Sequence, residues 1–369
     1  MAELNETPRG SRIHIAFFGL RNAGKSTLVN AFTGQQIAIV SDVAGTTTDP
    51  VSKAMEILPL GPCLVTDTAG LDDVGELGAM RVEKSLKVLE TTDIAVWVRG
   101  EENADFTDST NYHELFLGEC RKRGVVVIDH RRGEEVEELK KKIAAVKLED
   151  KMPGLLDGLV KKGDRVLCVC PIDESAPKGR LILPQVQVIR ECLDRHVAVT
   201  VCQPDEFVDD DSLVIVDSQA FGRIKAKRLT SFSVLFARQK GDLNEYVKGL
   251  GAIKALKDGD TVLVAEGCTH HRQCNDIGTV KIPKALEKLS GKKLKFEFAS
   301  GTSNIRTFEH SNISLVVHCG GCMLTRREML RRIELAKEAG VPIVNYGLLL
   351  ALANGVNVER LIAGLTTNN

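Results

Sequence analysis

Short apolar runs alternate with amphipathic stretches along most of the chain, and this pattern predicts alternating strands and helices. The first apolar run, His14 to Phe18, breaks at Gly19 and gives way to a helical pattern from Lys25 to Phe32. Further strands are predicted at 63–66, 94–98 and 125–128, and a helix is predicted within 134–147. Alternation of this kind is typical of a largely parallel sheet covered by helices.

The alternation weakens over the polar stretch 149–164, resumes from Arg165 and continues to the C-terminal region. We expect strands at 166–170, 197–201, 213–216, 232–236, 261–265, 294–298, 313–317 and 341–344, and helices at 183–193, 243–256 and 325–339. A second boundary is predicted near Asp258, in a polar turn between a helix and a strand. The predicted fold class is therefore α/β, with three domains of mainly parallel sheet over 1–150, 160–257 and 258–369.

The composition is that of a soluble globular protein. Of the 369 residues, 43% are apolar and 27% are charged, and the net charge of -1 gives no basic footprint for nucleic acid. The first twelve residues are polar and no run approaches membrane-spanning length, so we expect a cytoplasmic protein with neither a nucleic-acid nor a membrane partner. Ten cysteines are too few for a disulfide scaffold, so grouped cysteines point to metal or redox chemistry.

Residues 19–26 match the complete phosphate-loop pattern G-x-x-x-x-G-K-S, after a predicted strand and at the start of a predicted helix. The glycines let backbone amides surround a phosphate, while Lys25 meets the outer phosphates and Ser26 ligates magnesium. The residues expected to bind nucleotide here are Gly19, Asn22, Ala23, Gly24, Lys25, Ser26 and Thr27.

Two further segments complete the predicted nucleotide site. Asp67-Thr68-Ala69-Gly70 follows the second predicted strand, where such an aspartate contacts magnesium through water and the glycine amide senses the third phosphate. The polar loop 44–50 contains Thr46 and Thr47, which can place a hydroxyl on the magnesium ion. We therefore expect magnesium to be bound by Ser26 and Thr47. The residues expected to serve hydrolysis are Lys25, Thr47, Asp67 and Gly70.

Two other segments concentrate soft metal ligands, Cys268-Thr269-His270 and His318-Cys319-Gly320-Gly321-Cys322. Each directly follows a predicted strand, and the carboxyl ends of parallel strands converge at one edge of a sheet. Three thiolates suit an iron–sulfur cluster with one iron left to another ligand, whereas three thiolates with one imidazole suit tetrahedral zinc equally well. Apart from Cys274, the other cysteines lie mostly in apolar patterns and are expected to be core thiols: Cys63, Cys120, Cys168, Cys170, Cys192 and Cys202.

The phosphate loop, the threonine loop and the Asp67–Gly70 segment, in this order, resemble the G domain of the GTPase class that includes the tRNA-modification GTPases. The resemblance implies GTP as the nucleotide and a potassium ion bound through Asn22 in place of a catalytic arginine. Asn22 could instead be a loop-capping residue. Action on tRNA is disfavoured by the neutral charge and by the C-terminal metal motifs.

The motifs taken together resemble the HydF family, the maturation GTPases of FeFe hydrogenases. The resemblance extends to segments 176–185, 217–221, 229–233 and 318–323. It implies a GTPase domain, a dimerisation domain, and a C-terminal domain that binds a four-iron four-sulfur cluster and mediates tetramer formation. It also implies a scaffold and carrier, homodimeric or homotetrameric, that receives a transient di-iron subcluster precursor from two radical-SAM maturases and passes it to apo FeFe-hydrogenase.

Carried over by position, the resemblance implies that Cys268, Cys319 and Cys322 hold the cluster. The motif histidines, His270 and His318, either ligate iron or support the site. The fourth ligand is left open among Cys274, Asn275 and Asp276.

The chain departs from this GTPase class where guanine is normally read. After the strand at 125–128 it has Asp129-His130-Arg131-Arg132-Gly133 in place of N-K-x-D, and the later S-A element is also missing. We therefore expect weak discrimination of guanine from adenine and impaired hydrolysis. The alternative function, from a different class, is a zinc-stabilised nucleotide switch that regulates a partner without cofactor transfer.

Overall fold

The computed structural model describes residues 7–35, 50–72, 75–100, 106–148, 152–172, 179–267, 276–301 and 312–365. The chain divides into two compact units, Met1–Lys151 and Met152–Asn369. Within the described ranges, no helix combines the length and the apolar character that crossing a membrane requires.

The first unit is built on a five-stranded sheet in the order β2-β3-β1-β4-β5. Neighbouring strands are parallel except β2 and β3, which are antiparallel. Its strands are β1 (Ile13–Phe18), β2 (Val51–Ile57), β3 (Gly61–Asp67), β4 (Ile94–Arg99) and β5 (Val126–Arg131). Its helices are α1 (Lys25–Thr33), α2 (Gly75–Leu89), α3 (Phe106–Lys122) and α4 (Val136–Ala144).

Strand β1 is buried on both faces, because side chains alternate between the two faces of a sheet. Ile15 and Phe17 belong to a core formed with α1 and α4. Ala16 and Phe18 belong to a second core, which includes Phe116 of α3. This double burial holds the phosphate loop, which follows β1, at the carboxyl edge of the sheet.

The second unit contains two four-stranded sheets, β7-β6-β8-β9 and β11-β10-β12-β13, which share one continuous hydrophobic core. All of their strand pairs are parallel. The strands are β6 (Arg165–Val169), β7 (Ala198–Cys202), β8 (Leu213–Val216), β9 (Arg228–Ser231), β10 (Thr261–Glu266), β11 (Lys295–Ser300), β12 (Ile313–His318) and β13 (Ile343–Asn345). The helices are α5 (Leu183–Asp194), α6 (Phe232–Lys240), α7 (Leu243–Ala252), α8 (Ile282–Ser290), α9 (Arg326–Glu338), α10 (Tyr346–Ala353) and α11 (Val358–Leu361).

The predicted fold class is confirmed, since helices cover three largely parallel sheets. One predicted strand is wrong, because residues 232–236 lie in helix α6. Ser231 caps this helix by accepting the Val234 N–H on its hydroxyl oxygen at 3.3 Å. A short apolar run that is buried on all sides cannot be assigned to a strand or a helix from periodicity alone. The division into three domains, with its second boundary near Asp258, stays a prediction.

Candidate functional site

The phosphate loop connects β1 to α1, and its backbone needs glycine at two points. Gly24 has a φ of +90°, in the left-handed region that favours glycine. A Cβ atom at Gly19 would lie 2.5 Å from the carbonyl oxygen of Val98 in β4. Glycine at position 19 therefore lets the loop lie directly against the end of the sheet and lead into the N-terminus of α1, where backbone amides favour an anion.

Lys25, the first residue of α1, is buried with its ammonium group inside the phosphate loop. Its Nζ donates hydrogen bonds to the carbonyl oxygens of Leu20 at 2.6 Å and Gly19 at 3.3 Å. The positive charge is thus held where the outer phosphates of a nucleotide bind in such loops.

Ser26 and Asp67 bring a hydroxyl and a carboxylate together at the ends of neighbouring elements. The Ser26 Oγ donates a hydrogen bond to Asp67 Oδ2 at 2.6 Å. Burial raises the pKa of Asp67, against the lowering effects of Ser26 and Lys25. The other oxygen, Oδ1, is buried and has no hydrogen-bond partner among the described residues. A buried, unpaired carboxylate oxygen next to a hydroxyl fits the oxygen-rich shell of a magnesium ion.

The segment after β3 packs directly onto the phosphate loop. The Leu71 N–H donates to the Gly19 carbonyl oxygen at 3.2 Å, and the Arg21 N–H donates to Asp72 Oδ1 at 2.6 Å. A Cβ atom at Gly70 would lie 2.8 Å from the Arg21 backbone nitrogen. The structure therefore brings together the two predicted segments, and only glycine fits at position 70.

The remaining residues of the predicted nucleotide site differ in exposure. Ala23 is buried, whereas Asn22 and Thr27 are exposed. Thr46 and Thr47 lie outside the described residues.

The segment that replaces the guanine-reading motif continues strand β5, which reaches Arg131. Asp129 is therefore a strand residue. The Arg99 Nη2 donates to Asp129 Oδ2 at 2.8 Å, and the His113 Nε2 lies 3.2 Å from Asp129 Oδ1. Both carboxylate oxygens are thus in contact with side chains of the protein itself.

The two Cys/His motifs follow neighbouring parallel strands, as expected. Strand β10 pairs with β12, with Ala265 opposite His318, and the Cys319 N–H donates to the Ala265 carbonyl oxygen at 3.0 Å. The backbone N–H groups of Gly267 and Gly321 donate to the Cys319 Sγ at 3.2 Å and 3.4 Å. Hydrogen bonds of this kind stabilise a thiolate and tune sulfur ligands of metal centres.

The charges around the two described thiols also fit a metal centre. Burial raises the pKa of Cys319 and Cys322, that of Cys322 to about 12. The positive charges of Arg332 near Cys319 and of the buried Lys240 near Cys322 oppose this rise. A bound metal cation would favour the thiolate form of both cysteines, because a thiol that coordinates a metal loses its proton.

His318 is buried, and both of its ring nitrogens have hydrogen-bond partners. The Arg332 Nη1 lies 2.8 Å from Nε2, and the Cys319 carbonyl oxygen lies 2.8 Å from Nδ1. A guanidinium can only donate and a carbonyl can only accept, so Nε2 is the acceptor and Nδ1 carries the proton. Burial, followed by the charge of Arg332, lowers the pKa of His318 to about 3. This arrangement favours a supporting role for His318, which orients the main chain at Cys319.

Asp276, a candidate fourth ligand, starts a π-helical turn (Ile277–Lys281). Its Oδ1 accepts hydrogen bonds from the Thr279 N–H at 2.8 Å and the Thr279 Oγ1 at 2.9 Å. Four other residues named for this site lie outside the described residues: Cys268, His270, Cys274 and Asn275. Within the described ranges alone, no group of three or more His, Cys, Asp and Glu side chains is arranged to hold a metal ion.

The sequence pattern did not single out Arg332 and Lys240, although each carries a detectable signal. Arg332 lies on the apolar face of α9, between Met329 and Ala336, where helical periodicity calls for a hydrophobic residue. Lys240 ends a helix of mostly buried residues. A charged side chain at a core position needs a buried partner, and that requirement points to a polar site nearby.

Most of the cysteines predicted to be core thiols are confirmed as buried. These are Cys63, Cys120, Cys168, Cys170 and Cys192, whereas Cys202 is half-buried.

Family models match three consecutive parts of the chain. Residues 244–363 match the hydrogen maturase F tetramerization domain, residues 155–241 match the hydrogen maturase F dimerization domain, and residues 14–153 match a 50S ribosome-binding GTPase. The two hydrogen maturase F domains together span more than half of the chain.

Curated relatives match only part of the chain. The tRNA modification GTPase MnmE of Zymomonas mobilis is 38% identical over 97 residues, which cover 26% of this chain and 22% of that protein. The GTPase Der of Wolinella succinogenes is 41% identical over 99 residues, which cover 26% of this chain and 20% of that protein. The chain therefore spans about a fifth of the length of these relatives.

A solved structure of Aquifex aeolicus Era bound to GDP and AlF4⁻ aligns with 79% of this chain and 94% of its own length. The sequence identity is 15% and the TM-score is 0.28, too low for a comparison of the two folds.

Proposed function

The chain belongs to the hydrogen maturase F family, and we propose that it is a GTP-binding scaffold that assembles and delivers a metallocofactor for FeFe-hydrogenase. Its proposed client is apo FeFe-hydrogenase. Its proposed donors are two radical-SAM maturases, which supply a di-iron subcluster precursor. The precursor is cargo, and the cluster on the protein's own thiols is the resident group.

One observation carries this proposal: a phosphate-loop site and a thiol site occur on a single chain. Lys25, Ser26 and Asp67 form the polar centre of the first site. Cys319, with two N–H donors on its sulfur, and Cys322 form the described part of the second. A nucleotide-binding site suits a conformational or assembly cycle, and a thiol site suits the carriage of iron, so the pair fits a scaffold better than a simple GTPase.

In the first unit, Lys25 binds the outer phosphates and the amides at the start of α1 surround them. Ser26 and Thr47 would hold magnesium, which Asp67 would contact through water; a bound ion would supply the positive charge that neutralises phosphate. The Gly70 amide contacts the third phosphate. Asn22 helps to hold potassium, on which hydrolysis depends. The magnesium roles of Ser26 and Asp67 are supported by the Ser26–Asp67 hydrogen bond and by Asp67 Oδ1, which has no hydrogen-bond partner within the described ranges.

In the second unit, Cys268, Cys319 and Cys322 hold a four-iron four-sulfur cluster. Cys268 directly follows Gly267, whose N–H lies against the Cys319 sulfur. A cluster held by three thiolates supplies an iron atom open to a further ligand. His318 and Arg332 hold the main chain at Cys319 in place. Self-association into dimers and tetramers is supported by the two matched domains.

The cluster assignment is tested by anaerobic reconstitution with iron and sulfide, followed by visible absorption and counts of iron and sulfide. Wild-type protein should show broad charge-transfer absorption, and Cys268→Ala, Cys319→Ala and Cys322→Ala should each lose most of the iron. Cys202→Ala is the matched control, because Cys202 is half-buried like Cys319 and Cys322. Full iron content in any of the three variants would remove that residue from the ligand set. A colourless protein that retains zinc would support the nucleotide switch instead.

A further inference from the structure

The residues that directly follow β4 and β5, Gly100 and Arg132, lie beside the phosphate loop. A Cβ atom at Gly24 would lie 4.0 Å from the Cδ of Arg132, and a Cβ atom at Gly100 would lie 3.6 Å from the Cα of Ala23. The Arg132 N–H donates to the Arg99 carbonyl oxygen at 3.0 Å, which ties Arg132 to the end of β4. The side chain of Arg132, which is exposed, therefore passes beside Gly24, the second glycine of the phosphate-loop motif.

The strand order indicates whether the phosphate end or the nucleoside end of a bound nucleotide lies near Arg132. Strand β1 lies between β3 and β4, so the Ser26–Asp67 pair flanks the phosphate loop on one side and the ends of β4 and β5 flank it on the other. In the proposed function, magnesium and the outer phosphates lie at Ser26 and Asp67. The nucleoside end of the ligand then extends toward the β4 and β5 side, where Arg132 lies.

We propose that Arg132 contacts the nucleoside, with its guanidinium group packed on the face of the purine base. A planar guanidinium stacks on aromatic faces, and this attraction requires only a π surface. Both guanine and adenine present such a face. Arg132 therefore contributes affinity for purine nucleotides without selecting between them. The proposal deepens the proposed function, because it rests on nucleotide binding at the phosphate loop.

The contacts of Asp129 agree with this division of roles. Base selection requires a carboxylate that accepts hydrogen bonds from the edge of guanine, but both Asp129 oxygens contact side chains of the protein, Arg99 and His113. The Asp129 carboxylate thus already has an ion-pair partner in Arg99, while the proposed role of Arg132 concerns the face of the base.

Arg131 provides a matched control, since it has the same charge and is also exposed. It is the last residue of β5 and pairs with Arg99 in the sheet. We suggest measuring dissociation constants of the full-length chain for GTP, ATP and inorganic tripolyphosphate, each with magnesium, for wild type, Arg132→Ala and Arg131→Ala. Melting temperatures of the variants check that they are folded.

Arg132→Ala should weaken GTP and ATP binding by about tenfold each, the size of a partly desolvated cation–π contact. Tripolyphosphate has no nucleoside, so its affinity should change by less than about twofold, as for an ordinary surface substitution. Arg131→Ala should leave all three affinities within about twofold.

Four outcomes overturn the proposal. An equal loss for tripolyphosphate would show that Arg132 binds phosphate, and a loss for GTP alone would show that it reads guanine. Unchanged GTP and ATP affinities would show that it does not touch the nucleotide, and an equal loss with Arg131→Ala would show that only net charge matters. Wild-type protein that binds none of the three ligands would instead contradict the proposed function itself.

Discussion

The phosphate-loop site and the thiol site differ in whether their buried polar groups already have hydrogen-bond partners in the protein. In the first, a short continuous segment supplies most of the residues proposed to bind the nucleotide, and the buried Asp67 Oδ1 has no hydrogen-bond partner among the described residues. In the second, side chains from β12 and α9 meet, and His318 and Arg332 already bond to one another and to the main chain. The first site thus suits a ligand that binds and leaves, and the second suits a permanently held group.

This contrast has a consequence for mutations. Removing a side chain from the phosphate-loop site should reduce ligand affinity and leave the fold intact, because those groups are completed by the ligand. Removing a buried partner from the thiol site should reduce stability first, because it leaves other buried groups unpaired.

The largest effect is expected from Arg332→Met. Arg332 is 4% exposed and donates to the His318 Nε2, the Gly301 carbonyl oxygen and the Glu328 Oε1. Removing the buried guanidinium from these acceptors should lower the free energy of unfolding of the apo protein by about 3–5 kcal/mol. Denaturant unfolding followed by circular dichroism measures this loss.

The neighbouring Arg331 is the matched control. Its side chain is 39% exposed and pairs with Glu334 and Glu338 at the surface. Arg331→Met should cost no more than about 1 kcal/mol. Equal losses in the two variants would mean that the buried network does not support the thiol site.

The next largest effect is expected from Lys25→Ala, which should change the affinity for GTP and nothing else. A hydrogen bond to a charged group contributes about 1.5–3 kcal/mol, and Lys25 is expected to make more than one to the phosphates, so GTP affinity should fall about a hundredfold or more. Iron content after reconstitution should be unchanged. Equilibrium binding and iron counts on the same samples test both statements.

Lys141→Ala is the control for this variant, since its side chain on α4 is 73% exposed. It should change neither affinity nor iron content. Parallel loss of iron in Lys25→Ala would contradict the separation of the two sites.

A smaller effect is expected from Ser26→Ala. The hydroxyl that donates to Asp67 is the proposed magnesium ligand, so the variant should need about tenfold more magnesium for half-maximal GTP binding. Titration of magnesium at fixed GTP measures this shift. An unchanged magnesium requirement would show that Ser26 does not bind the ion. It would also argue against a magnesium site at Asp67.

The smallest effect is expected for the choice of base. Competition between GTP and ATP at fixed magnesium and potassium should show affinities within about tenfold. The hydrogen bonds that distinguish guanine are worth about 1.5–3 kcal/mol each, and Asp129, which stands where the N-K-x-D motif is expected, is already paired with Arg99. Asp129→Asn should leave the ratio unchanged, since Arg99 and His113 already contact this side chain. A GTP preference above about a hundredfold would show that another segment reads the base.

The sequence alone determined the elements and motifs that depend on neighbouring residues. The phosphate loop, its glycines, Lys25 and Ser26 lie in one stretch, and the apolar alternation predicted the parallel α/β class. The convergence of β10 and β12 also followed, because parallel strands end at the same edge of a sheet. The weakest prediction was the strand at 232–236, where a short run that is apolar except for Ser233 proved to be part of the mostly buried helix α6.

Only the tertiary structure decided the contacts between residues far apart in the chain. These include the Arg332–His318 hydrogen bond, the N–H groups on the Cys319 sulfur, the ion pair that occupies Asp129, and the course of Arg132 along Gly24. Sequence periodicity reports which face of an element is buried, but it does not report which side chain from another element meets that face. That choice is made by packing, where a buried charge is tolerated only if a partner lies within hydrogen-bond distance.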